Sequence, residues 1–314
     1  MNPGFPFGEA VAVRGDRILG VGTVDELARF GDHSVDDRFV DRVILPGFVE
    51  AHAHVMGGGY WRFPYVGYFE RSDPDGRRWS GCRSVEEVID RLVEREATLD
   101  DPADPLVAWG LDPIYLPGER LVAKHLDRVS EQRPIFVFHA SGHLATVNSA
   151  MLRRCGITAA TTMPGVAKDE HGEPNGELQE AAIGLAGIGM GPLLDAIGST
   201  EAKWGFAREA RNSGQTLICD LGTTRIQDDE QIAAWQAATG DPAYPARVMV
   251  AGSPMFGGVQ DPEQLASIVL ARRTKDQTDK LRFGVVKLIL DGSIQGFTAR
   301  ITWPHYFDPP EGHP

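Results

Sequence analysis

The sequence is poor in cysteine, in basic clusters and in long apolar runs. Of its 314 residues only three are cysteine, and no two of them have Cys-x-x-Cys spacing. This pattern excludes a disulfide framework and a thiolate zinc site, and it favours a reducing compartment. The net charge of −13, with only short lysine/arginine pairs, disfavours nucleic acid as a partner. No signal peptide and no run of membrane-spanning length is found, so we expect a cytoplasmic protein that binds no membrane.

Two histidines separated by one residue close a predicted strand. His52 and His54 follow the apolar segment Val43–Val49, and a strand's period of two places both imidazoles on one face. Two imidazoles on one face supply half of a divalent-metal site, which suits zinc, iron, manganese or nickel. The alternative is a strand–loop junction whose histidines bind no metal. The glycines at 57–59 are expected to turn the backbone away and leave the site open.

Strand and helix patterns alternate along the chain, which predicts parallel βα units. A β-hairpin is predicted over 9–22 and a strand over 35–43. A helix is expected after Ser84, where a capping-box pattern begins, followed by a buried strand at 134–139 and a short helix at 145–155. Beyond residue 200, predicted helices at 200–212, at 228–239 and from 261 onward alternate with strands at 216–221, 246–251 and 283–290.

A lysine lies within the last of these apolar strands. Lys287 shares a strand face with Val285 and Ile289, and a buried lysine is costly unless it is paired or neutralised. Burial favours the neutral, nucleophilic amine. Such an amine can take up carbon dioxide to form a carbamate, an oxygen ligand able to bridge two cations. The alternative is a lysine that pairs with an acid such as Asp291 or reaches the surface.

The segment from Leu45 to His54 resembles the first barrel strand of the amidohydrolase superfamily, whose signature is Pro-Gly, two hydrophobic residues, Asp/Glu-x-His-x-His. The resemblance implies an α/β fold, a distorted (β/α)8 TIM-type barrel with its metal at the C-terminal mouth. It divides the chain into a small N-terminal β-sandwich (1–45), barrel strand 1 with the metal motif (46–59), an α/β insertion (60–200) and barrel strands 2–4 (201–314). Since a closed barrel needs eight strands, we expect the N-terminal part of a longer member.

Within this superfamily the chain resembles the branch that includes N-substituted formamide deformylase. That branch carries Lys-hydrophobic-x-x-Asp-Gly-Ser at its fourth barrel strand, which Lys287 and Asp291–Ser293 match. In dinuclear relatives this lysine is the carboxylated bridging ligand, so the resemblance adds Lys287 to His52 and His54 as a metal ligand. The same resemblance implies a set of substrate-binding residues: Trp109, Asp112, His143, Glu180 and Asp291.

The implied substrate residues also have structural alternatives. Trp109 could simply pack in the core. His143 could bond the backbone near a tight turn, and Glu180 could cap a helix. The sequence alone leaves these alternatives open.

The resemblance implies hydrolysis of an amide-type, non-peptide C–N bond in a small molecule. One or two divalent ions, with zinc expected first, would activate a water for attack on the carbonyl. The superfamily takes its proton-shuttling aspartate from the eighth strand, so no catalytic proton shuttle is assigned here. Two alternatives stay open: a non-catalytic remnant or subunit that needs a missing C-terminal half or an oligomeric partner, and a lyase or isomerase on the same metal platform.

Overall fold

The computed structural model describes residues 4, 7–116, 118, 120–254, 259–292, 294, 297 and 299–306. The strands are β1 (Ala10–Arg14), β2 (Arg17–Gly22), β3 (Phe48–Ala53), β4 (Arg71–Ser72), β5 (Arg78–Trp79), β6 (Leu106–Leu111), β7 (Ile135–His139), β8 (Leu144–Val147), β9 (Val166–Lys168), β10 (Pro174–Gln179), β11 (Gln215–Asp220), β12 (Arg247–Gly252) and β13 (Leu281–Val286). The helices are α1 (Val24–Ala28), α2 (Val85–Glu96), α3 (Ala123–Asp127), α4 (Ser149–Arg154), α5 (Gly187–Gly198), α6 (Thr200–Asn212), α7 (Asp229–Gly240) and α8 (Pro262–Lys275). 3₁₀ helices cover Val55–Arg62, Pro113–Tyr115 and Glu180–Leu185. The chain divides into two compact units, residues 1–48 and 49–314.

The first unit contains the predicted hairpin. Strands β1 and β2 pair antiparallel, with Ala10 opposite Gly22, and Gly15 at φ +60° makes the turn. Thr23 caps helix α1 by accepting from the Glu26 N–H. The predicted strand over 35–43 is wrong, because that segment forms turns and its valine side chains are largely exposed.

A five-stranded sheet in the second unit has the order β6-β7-β8-β10-β9. Strands β6 and β7 are parallel, and the other neighbours are antiparallel. The predicted helix over 145–155 is wrong in its first part, where β8 pairs with both β7 and β10. Asn148 ends the strand and caps α4, accepting from the backbone N–H groups of Met151 and Ile135.

A four-stranded sheet, ordered β13-β12-β11-β3, forms the other half of the second unit. Strands β11, β12 and β13 are parallel neighbours, and helices α7 and α8 connect them. The predicted βα alternation beyond residue 200 is therefore confirmed, and the fold is mixed α/β with a parallel sheet. Its core is formed by buried apolar side chains of strands and helices: Ile218, Trp235, Tyr244, Val248, Val250, Leu265 and Phe283.

The last parallel strand is shorter than the sequence pattern predicts. Strand β13 ends at Val286, so Lys287 follows the strand instead of lying within it. Leu288 and Leu290 are exposed, which means that the apolar run continues without a core to bury it. Ser293 of the resembling motif lies outside the described residues. Among the described helices, none combines the length and apolar character that crossing a bilayer requires.

Candidate functional site

The two predicted metal-binding histidines lie together at the carboxyl end of β3. His52 is in the strand, His54 directly follows it, and their ring centroids are 5.4 Å apart. His52 is exposed and His54 is half-buried. Burial lowers the pKa of His54, although the nearby Asp220 carboxylate raises it. This favours the neutral imidazole that metal binding requires.

Lys287 reaches the same place from the opposite edge of the sheet. Its Nζ lies 3.4 Å from His52 Nε2, across the ends of the two inner strands. The backbone N–H of Lys287 donates to the Gly252 carbonyl at 2.8 Å, which fixes the residue beside the end of β12. The structure thus brings all three predicted metal ligands together, although Lys287 is half-buried rather than enclosed in a strand.

A fully buried carboxylate, not identified from the sequence, supports the histidine segment. Asp220 ends β11 and is 0% exposed. It accepts hydrogen bonds from the Val55 backbone N–H at 3.2 Å, from the Thr224 hydroxyl at 2.8 Å and from the Thr223 hydroxyl. Since Val55 directly follows His54, Asp220 holds the backbone next to the predicted metal-binding imidazole. The sequence signal that could have identified Asp220 is its position, because it is an acidic residue at the end of a predicted parallel strand.

The glycines after the histidines serve a different purpose from the predicted one. A Cβ on Gly58 would lie 2.0 Å from the Ala202 carbonyl oxygen, and one on Gly59 would lie 2.5 Å from the Ala196 carbonyl oxygen. The 3₁₀ helix Val55–Arg62 therefore packs against the backbones of α5 and α6 at a distance that only glycine permits. This close packing, rather than an open turn, sets the path of the chain beyond His54.

The donor set fits part of a metal site. His54 Nδ1 is buried and has no hydrogen-bond partner among the residues that the structure describes, so a polar atom remains available there. Neutral imidazoles suit zinc and other first-row divalent ions. Within the described parts of the chain, no group of three or more His, Cys, Asp or Glu side chains is placed to hold an ion. The described residues therefore contribute two imidazoles and one amine to the candidate metal site.

Two of the predicted substrate residues lie at the end of β6 in the five-stranded sheet. Trp109 is only 5% exposed, yet its indole Nε1 has no hydrogen-bond partner among the described residues. Asp112 Oδ1 is likewise buried and unpaired within that part of the chain, and burial raises the pKa of this carboxyl. Core packing alone accounts for the Trp109 ring, which contacts Tyr60, Trp61 and Tyr65. It does not account for a buried donor and a buried acceptor without partners, because most buried polar groups in proteins are hydrogen-bonded.

The two other predicted residues of the insertion form a pair. His143 Nδ1 lies 2.9 Å from Glu180 Oε2, and the Glu180 N–H donates to the His143 carbonyl at 2.9 Å. Glu180 has φ +50°, a left-handed conformation that is uncommon for a residue other than glycine. It is the first residue of the 3₁₀ helix Glu180–Leu185, whose N-cap position is occupied by Gln179. Strained residues of this kind concentrate at functional sites.

Asp291 lies apart from this pair, in the segment after Lys287. Its Oδ2 accepts from the Arg300 backbone N–H at 3.1 Å, and the residue is exposed. Within the part of the chain that the structure describes, the Lys287 amine contacts His52 and forms no ion pair with Asp291.

Comparison with known proteins supports the resemblance found in the motifs. The chain is 29% identical to the N-substituted formamide deformylase of Arthrobacter pascens, over 70% of this chain and 39% of that protein. It is 25% identical to the protein LONG AFTER FAR-RED 3 of Arabidopsis thaliana, over 98% of this chain and 51% of that protein. The chain spans about half the length of the curated relatives it matches.

A solved structure shows the same fold. It is an uncharacterized metal-dependent hydrolase from Pyrococcus horikoshii OT3, with a TM-score of 0.55 and 16% identity, covering 91% of this chain and 52% of that one. A sequence profile of the amidohydrolase family matches residues 41–310, which include all the predicted site residues. The chain therefore belongs to the amidohydrolase family.

Proposed function

We propose that this chain carries the metal-binding part of a hydrolase that cleaves an amide-type, non-peptide C–N bond in a small molecule. One observation carries the proposal: His52, His54 and Lys287 converge, with Lys287 Nζ 3.4 Å from His52 Nε2 although the two residues are 235 positions apart. Membership of the amidohydrolase family and the likeness to metal-dependent hydrolases support it. The Arthrobacter relative's name supports the choice of an amide-type bond.

In this proposal the two imidazoles hold a divalent ion, with zinc expected first. Such an ion supplies an activated water near neutral pH and polarises the carbonyl of the substrate. The Lys287 amine would react with carbon dioxide to form a carbamate and release a proton. The carbamate oxygens would then be available as metal ligands. Asp220 keeps the backbone at Val55 in place and so orients His54.

The insertion supplies the substrate pocket in this proposal. Trp109 Nε1 and Asp112 Oδ1 offer an unpaired donor and an unpaired acceptor, which match the complementary groups of an amide. His143, held by Glu180, provides a further polar contact from the loop between β7 and β8. Asp291 is proposed as a contact from the segment that follows Lys287.

Metal content tests the centre directly. The His52→Asn/His54→Asn double variant should lose most of its bound zinc, measured by plasma mass spectrometry after dialysis. The matched control, His33→Asn/His171→Asn, changes two exposed histidines and should retain the metal. Equal metal content in the two double variants would contradict the proposal.

Equilibration with ¹³C-bicarbonate should give a carbamate NMR signal that Lys287→Met removes. Release of amine from small N-formyl and N-acyl amines then tests the reaction.

The sheet edge next to Lys287 suggests that further βα units complete the fold. Strand β13 is an outer strand of its sheet, and Val285, Leu288 and Leu290 leave apolar side chains exposed. An exposed apolar edge invites pairing with another strand. We propose that additional units, from a longer polypeptide or a second chain, close a (β/α)8 barrel here. Light scattering and intact mass would show a longer chain, a hetero-complex or a homo-oligomer, whereas a stable monomer of this chain alone would contradict it.

A further inference from the structure

A cavity lies next to the segment that directly follows the histidine pair. Its volume is about 240 Å³, and it is bordered by the start of the 3₁₀ helix Val55–Arg62, helices α5 to α7 and the loop after β11. None of the predicted metal or substrate residues is among the described residues that line it. At about 30 Å³ per water molecule, this space would hold about eight waters. It is therefore large enough for a small organic ligand.

An unpaired ammonium group borders this cavity. Lys203 lies on α6 and is half-buried, with Nζ 5.3 Å from the centroid of the Trp235 ring. Among the described residues, Nζ makes no hydrogen bond or ion pair. Burial lowers the pKa of Lys203, although Asp220 beneath the cavity raises it. An acceptor that entered the cavity would restore the interactions that burial removes.

Three side-chain acceptors at or next to the cavity already receive hydrogen bonds. Asp220 accepts from three donors, and the Thr224 hydroxyl that donates to it also accepts from the Trp235 indole at 2.8 Å. Gln231 Oε1 accepts from the Arg225 backbone N–H at 2.9 Å. Lys203 and Arg225 are the cationic residues that line the cavity, and Arg225 also lies 3.4 Å from the Asp228 carboxylate.

The rest of the lining is mostly apolar. Aliphatic side chains come from the segment after His54 and from helices α5 and α6: Val55, Met56, Leu194, Ile197 and Ala202. A site with cationic donors at one point and aliphatic walls elsewhere matches a ligand with an anionic head and a short hydrocarbon tail. We infer that this cavity is a second binding site, for a short-chain carboxylate whose oxygens accept hydrogen bonds from Lys203 and Arg225.

Calorimetric titration of the full chain with sodium butyrate tests this site. Butyramide, which has nearly the same shape without the charge, is the matched control ligand. Lys203→Met should weaken butyrate binding about tenfold, the factor expected for one charge-assisted hydrogen bond. Lys203→Arg should retain binding within about threefold. Lys275→Met, at an exposed lysine of α8, is the control variant and should not change the affinity.

Carboxylates also bind metal ions, so the location of the bound butyrate must be tested separately. The His52→Asn/His54→Asn variant should bind butyrate as the wild type does, and this result would hold whether or not the metal proposal is correct. Loss of binding in that variant would overturn the inference. So would equal affinity for butyramide, or an unchanged affinity in Lys203→Met. If Lys203→Met does not fold, as judged by circular dichroism, Arg225→Gln at an exposed position should still weaken binding measurably.

Discussion

Removing the buried carboxylate at the end of β11 should destabilise the second unit. In Asp220→Ala the Val55 N–H and the hydroxyls of Thr223 and Thr224 lose their shared acceptor, a carboxylate that is itself fully buried. A buried donor left unpaired costs about 1–3 kcal/mol. The two hydroxyls can rotate towards other acceptors but the backbone N–H cannot, so we expect a loss of about 3 kcal/mol.

The isosteric Asp220→Asn variant refines this prediction. Its amide oxygen still accepts from Val55, whereas its NH2 group faces the Thr224 hydroxyl, which must reorient. We expect a loss of about 1 kcal/mol. Asp228→Asn is the matched control, because Asp228 caps α7 from the same loop and asparagine is an equally good N-cap. Its stability should stay within about 0.5 kcal/mol of the wild type.

Urea and thermal denaturation provide the measurement. A loss of 3 kcal/mol corresponds to a fall in Tm of roughly 4–5 °C in a chain of this size. Zinc affinity, measured by competition with a chromogenic chelator, should fall about tenfold to a hundredfold, as for other residues that orient a metal ligand. If Asp220→Ala unfolded at the same urea concentration as Asp228→Asn, the assignment of Asp220 as the support of the His54 segment would be refuted.

Two further predictions follow from the backbone and from a buried histidine. Gly222→Ala should destabilise by about 2–4 kcal/mol in urea titrations, because φ is +96° and the new Cβ would lie 2.4 Å from Ser253 Cβ. Gly142→Ala, at φ +76° with open space around it, should lose only about 1 kcal/mol, and equal losses would contradict the steric argument. Burial lowers the pKa of His139 from 6.5 to about 4. Between those two pH values the unfolded chain binds the proton and the folded chain does not, so this residue should lower the unfolding free energy by about 1.4 kcal/mol per pH unit on acidification. His139→Gln should remove this slope, and the exposed control His33→Gln should keep it.

Local signals explain why much of the parallel sheet was predictable from the sequence. The pattern around Ser84 and the Asp261-Pro262 pair placed the starts of α2 and α8, since capping groups act on N–H groups within one turn. The spacing of His52 and His54 placed both imidazoles on the same face of the strand, because side-chain direction in a strand has a period of two. Each of these features depends on residues that are close in the chain.

The errors arose where long-range pairing decides the structure. Leu144–Val147 can be helical by local preference but forms β8, because β7 and β10 pair with it on both sides. The strand predicted for 283–290 stops at Val286. Asp220 was missed for the same reason, since its hydrogen bond to Val55 joins residues that are 165 positions apart.

The arrangement of the proposed metal centre follows from the sheet more than from any single motif. His52, Asp220 and Lys287 come from the ends of three different strands, and each has another plausible role when its local sequence is considered alone. Their convergence at the carboxyl ends of these strands places the imidazoles, the buried carboxylate and the amine in one neighbourhood. Because Asp220 also influences the protonation of Lys203 in the adjacent cavity, the proposed metal centre and the proposed carboxylate site share one buried charge. Asp220→Asn should therefore alter zinc affinity and butyrate affinity together, whereas Lys203→Met should alter only the second.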